Sequence, residues 1–85
     1  MNDADRIEAA ILRLTEARGP QASVCPSEVA RALEPEWRRL MASVRGAAIR
    51  LAAAGRIEIL RKGKPVTSGT VKGVIRLRVR TDPTG

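Results

Sequence analysis

The sequence predicts an α+β domain of three helices followed by a β-hairpin, the element order of a winged helix-turn-helix. Two observations carry this reading. Apolar residues recur at helical spacing as far as Ala54, and beyond Gly55 the period changes from 3.6 to 2. A third observation concerns charge. Of sixteen Lys and Arg residues, twelve lie between Trp37 and Arg80 with a single acid, Glu58, so that stretch carries +11. The first 36 residues carry −3, and the whole chain carries +7.

The first helix starts among residues 2–5, with Asp5 as N-cap, Glu8 completing a capping box, and early acids suited to the helix dipole. Ile7, Ala10, Ile11, Leu14 and Ala17 give it one apolar face, and Arg18-Gly19-Pro20 ends it. Ala22-Ser23-Val24 is short enough to pair only as a brief extra strand. Cys25-Pro26-Ser27-Glu28 opens a second helix of about two turns, because Pro loses no hydrogen bond at the first helical position and Glu28 can reach back to the cap. Val29, Ala30 and Leu33 form its apolar face. Glu36 opens a third helix that reaches Ala54, with Gly55 as its stop and a break allowed near Met41 or Gly46.

At about 100° per residue, the third helix sorts into faces. Trp37, Leu40, Met41, Val44, Ala47, Ala48 and Leu51 cluster on one side. Arg39, Ser43, Gly46 and Arg50 form the opposite stripe, with Arg38, Arg45 and Ile49 on a shoulder. Ile57 and Ile59 then alternate with Glu58 and Leu60, and Ile75, Leu77 and Val79 alternate with Arg76, Arg78 and Arg80. Residues 62–73 between them hold three Gly and one Pro and are expected to be a mobile loop. Two strands alone are marginal, so the hairpin has to pack on the helices.

Eighty-five residues make one domain, 1–85, with a core over about 5–80 and a frayed tail at 81–85. The core must be aliphatic, because Trp37 is the only aromatic residue. With no His and one Cys, an internal disulfide is excluded, no metal site and no cofactor are expected, and a reducing, cytoplasmic setting fits. No apolar run approaches the roughly 20 residues of a membrane span, and the acidic N-terminus does not resemble a secretory signal. Catalysis is not expected. There is no P-loop, no GxGxxG and no paired carboxylate beyond capping acids, and Gly63-Lys64-Pro65 lacks the rest of a phosphate loop. Cys25 reads as a packed residue at a helix start, since no His stands ready as its base.

The charge pattern points to a polyanion, with double-stranded DNA the expected partner. A helix fits the major groove while a hairpin tip follows the neighbouring backbone. The candidate contacts are Arg38, Arg39, Ser43, Arg45 and Arg50 on helix three, and Arg61, Lys62, Lys64 and Lys72 around the hairpin. The acidic first helix is expected to face away. Blander readings compete: an arginine-rich helix face can be merely solvated, and the Arg76, Arg78, Arg80 row can be a cationic strand face that discourages aggregation. Trp37 reads as a core anchor over the second helix. The domain is expected to be a monomer or weak dimer, and a monomer would bury about 600–1,000 Å² on DNA. Structured RNA and an acidic protein are the alternative partners, the latter through an apolar patch of Leu12, Ile49, Leu60 and Val66. Strands without aromatics argue against a base-stacking RNA sheet, and a membrane surface is excluded because helix three needs its apolar face for the core.

Several stretches together resemble a known family. They are Cys25 to Leu33 (CPSEVARAL), Trp37-Arg38, Gly55-Arg56-Ile57-Glu58, Lys62 to Val66 (KGKPV) and Gly73 to Arg78 (GVIRLR). The chain is similar over about residues 7 to 79 to a small bacterial domain of unknown function with a winged-helix fold. That resemblance implies a bacterial source and the same fold, and brings no activity with it.

Overall fold

Residues 3–66 and 73–80 are described in the computed structural model of the chain. The order is α1 (Asp3–Arg18), α2 (Pro26–Leu33), a 3₁₀ helix (Trp37–Leu40), α3 (Met41–Ala53), β1 (Ile57–Arg61), β2 (Lys64–Pro65) and β3 (Arg76–Val79). Three helices and a small antiparallel three-stranded sheet make an α+β fold compatible with a winged helix.

α1 begins earlier than its acids suggest, so Asp5 lies inside the first turn and is not the cap. Its buried line is Ile7, Ala10, Ile11 and Thr15, while Ala17 is exposed. Thr15 can be buried because its hydroxyl donates to the Ile11 carbonyl at 2.8 Å, satisfying the polar atom within the helix. α2 follows the expected start. Cys25 is its N-cap, Pro26 stands in the first turn, and the Cys25 N–H donates to Glu28 Oε1 at 3.4 Å. The third helix divides where a break was allowed, with tighter 3₁₀ turns up to Leu40 and α-helix from Met41. Leu40, Val44, Ala47, Ala48 and Leu51 are buried, with Trp37 and Met41 packed at the margin of the core.

The sheet holds the predicted antiparallel pair and adds a short strand to it. Its order is β2-β1-β3, and β1 turns directly into β2 with Arg61 opposite Lys64. Lys62 and Gly63 between them have φ of 54° and 80°, the signature of a type I′ turn that matches strand twist. Part of the expected loop is therefore an ordered two-residue hairpin. β3 pairs on the other side of β1, with Ile59 opposite Leu77 and Glu58 opposite Arg78. Val24 adds a single bridge rather than a strand, exchanging two 2.7 Å backbone bonds with Leu77. Ile57, Ile59, Ile75 and Leu77 are buried against the helices, and α1 contributes Ile7 and Ile11 to the same core. The expected frayed tail, 81–85, lies outside the described residues.

Candidate nucleic-acid interface

α1 packs along α3, and this decides what the outer face of α3 can present. Arg50 is bonded to Glu8 of α1 at 2.9 Å, and a cleft of about 340 Å³ between the two helices is lined by Ala4, Ala42, Ser43, Gly46 and Arg50. The acidic first helix does not face away from the predicted stripe. It borders it, because the buried line through Ile7 and Ile11 docks on α3 and carries Glu8 alongside. Arg39 is also engaged: its guanidinium reaches both carboxylate oxygens of Glu34, with Nε at 3.1 Å from Oε2.

The shoulder of helix three faces the sheet. Arg45 donates from Nη2 to the Gly73 carbonyl at 2.8 Å. Arg61, at the end of β1, brings its guanidinium to the same residue: its Nη2 and Nε lie 3.9 and 4.0 Å from where a Cβ on Gly73 would stand. Gly73 has φ of 75°, a backbone conformation that suits glycine. Two cationic elements distant in sequence thus meet at one residue. Lys62 and Lys64 are exposed beside them in the β1–β2 turn. Lys72 lies outside the described residues. Among the described residues, no ion pair includes Arg38, Arg45, Arg61, Lys62 or Lys64.

The outer row of β3 has other duties. Arg76 donates to Ser23 Oγ at 2.6 Å and to its carbonyl at 2.9 Å, while Arg78 holds Glu58, its cross-strand partner, at 2.6 Å. Arg18 similarly clamps Glu28 at 2.7 Å and the Ser23 carbonyl at 2.9 Å. That bond is the main cause holding the Glu28 carboxyl below its ordinary value; partial burial opposes it, and the Cys25 N–H and the charges of Arg18 and Arg76 support it. Burial pushes the Cys25 thiol up, yet hydrogen bonds from Ser27 and the nearby Arg76 outweigh it, leaving the thiol below its usual value.

The apolar patch considered for a protein partner does not assemble. Leu60 is buried and Leu12 and Val66 are half-buried, whereas Ile49 (39% exposed) and Val74 (83%) are the exposed large hydrophobics among the described residues. No group of His, Cys, Asp or Glu among the described residues could hold a metal ion, and no described helix is long and apolar enough to cross a membrane.

A family profile described as "Protein of unknown function (DUF3253)" matches residues 4–80. The chain belongs to the DUF3253 family. A search of curated protein sequences finds no significant match. In this DUF3253 domain, two features had no signal in the sequence. Arg31 of α2 lies over the Trp37 ring, 4.7 Å from its centroid, together with Arg38 at 4.5 Å. Gly73 was legible only as a loop glycine, because its two arginine neighbours come from other elements.

Proposed function

We propose that this DUF3253 protein is a bacterial, cytoplasmic winged-helix protein that binds double-stranded DNA without catalysing a reaction. Arg38 and Arg45 would meet the groove edge and backbone, and Arg61, Lys62 and Lys64 would follow the adjacent phosphates. The observation that carries this reading is the meeting of Arg45 and Arg61 at Gly73, which brings helix shoulder and hairpin together through cations that make no ion pair among the described residues. Such a surface suits phosphate contacts, which set position and affinity more than sequence preference. Arg39, Ser43 and Arg50 belong to the side bordered by Glu34 and α1. The carboxylates there also repel phosphate, so these three rank below the shoulder and the turn.

Fluorescence anisotropy with a labelled duplex across a salt series tests the proposal. Five phosphate contacts predict a log–log slope of about −4.5. A flat line would remove the idea. Competition by an RNA hairpin that displaces the duplex at lower concentration would transfer the reading to RNA. The acidic-protein alternative has less support, since its four candidate apolar residues do not form an exposed patch.

A further inference from the structure

We infer that Arg31, Trp37 and Arg38 form a phosphate clamp, which brings α2 into the interface and extends the footprint beyond helix three and the hairpin. This rests on the DNA-binding reading above. The guanidinium carbons of Arg31 and Arg38 lie 4.7 and 4.5 Å from the centroid of the Trp37 ring. The two charges are therefore held within about 9 Å of each other, comparable to the Debye length of about 8–10 Å at physiological salt. No acid among the described residues relieves them: Glu34 is bonded to Arg39, and Glu36, next to the tryptophan in sequence, makes no ion pair with either.

What distinguishes these arginines is the indole they share, together with side-chain donors left unused. Arg39, Arg50 and Arg78 point their N–H groups at carboxylates, and Arg45 and Arg76 bond carbonyls. Among the described hydrogen bonds, none uses the side chain of Arg31 or Arg38. A guanidinium resting on an indole is oriented through its face, which leaves the in-plane N–H fork free for bidentate contact with a phosphate. The half-buried Trp37, packed against the core, thus acts as a platform that fixes two exposed arginines before any ligand arrives. Neighbouring phosphates of one strand supply the two anions that this pair lacks.

A cation in the last turn of α2 also suits the helix dipole, so the test needs readouts that folding would not move. Trp37 provides one, because its emission is the signal of a single site in a chain with no other aromatic residue. Duplex titration should change Trp37 emission along the same isotherm as anisotropy. Inorganic phosphate at matched ionic strength should leave that emission unchanged, since one small anion cannot span both guanidinium groups. Arg31→Ala and Arg38→Ala should each reduce the magnitude of the salt slope by about 1. Arg31→Lys should restore it, and Arg13→Ala, an exposed arginine on α1, should leave it unchanged. If the duplex binds with the full slope while Arg31→Ala changes neither slope nor emission, the clamp is overturned and the DNA reading survives. If no salt-dependent binding occurs at all, both fall together.

Discussion

An arginine whose side chain is engaged here meets one of three fates: a carboxylate, a backbone carbonyl, or the face of an indole. The fate decides its use. Arg50 is joined to Glu8, 42 positions away, and no periodicity within helix three could announce that partner. Arg45, five positions earlier, is one face round and meets the sheet instead. The two residues look alike in the sequence and differ through what packs beside them. Alanine at Arg45 should therefore reduce the magnitude of the DNA salt slope by about 1, while alanine at Arg50 should leave it within error. Equal losses at both would put the α1-flanked stripe back in the interface. Glu28 makes a prediction of another kind. Its folded carboxyl has a lowered pKa, chiefly through its bond to Arg18, so in acid the unfolded chain takes up its proton first. Its contribution to stability is present above the ordinary value of about 4.5 and lost as pH falls through the lower, folded value. Thermal melts of wild type and Glu28→Gln should accordingly converge in acid, with the variant less pH-dependent. Parallel curves would show that the Arg18 bond does not survive in solution.

At the level of elements, long periodic stretches were legible and short paired ones were not. Helices α1, α2 and α3 follow from apolar spacing and from their Pro and Gly boundaries, β1 from the change of period after Gly55, and β3 from strict alternation. β2 escaped because two residues carry no periodicity, and because its turn places a lysine where Asn or Asp usually precedes Gly. The site was legible to the same degree. Arg45, Arg61, Lys62 and Lys64 could be chosen by charge, but the meeting of Arg45 and Arg61 at Gly73 depends on strand order, which the sequence left open. Lys62 itself invites a test. An L-residue in the left-handed region costs roughly 1–2 kcal/mol, less for Asn, so Lys62 is poorly suited to its own backbone. Lys62→Asn should stabilise the domain by about 0.5 kcal/mol, raising the melting temperature by roughly 2–4 °C. The same change should reduce the magnitude of the salt slope by about 1. Gain and loss together would mark Lys62 as kept for its charge. A stabilised variant with unchanged DNA affinity would mark it as merely tolerated.

For the whole molecule, charge and stability separate. The fold is held by an aliphatic core drawn from every helix and from β1 and β3, which salt does not screen. The five described ion pairs are all partly exposed, and pairs of that kind contribute about 0–1 kcal/mol each. Salt weakens them, but it also relaxes the self-repulsion of a chain at +7, so the two effects oppose each other. Stability should therefore stay within about 1 kcal/mol between 50 and 200 mM salt, whereas a slope of about −4.5 would lower DNA affinity roughly 500-fold over the same range. Denaturant melts and anisotropy titrations on one preparation compare the two directly. If stability fell in step with affinity, loss of binding would reflect unfolding, and the arginine pair at Gly73 would no longer be needed to explain it. Constant stability with collapsing affinity is what a preformed cationic face on a neutral core requires.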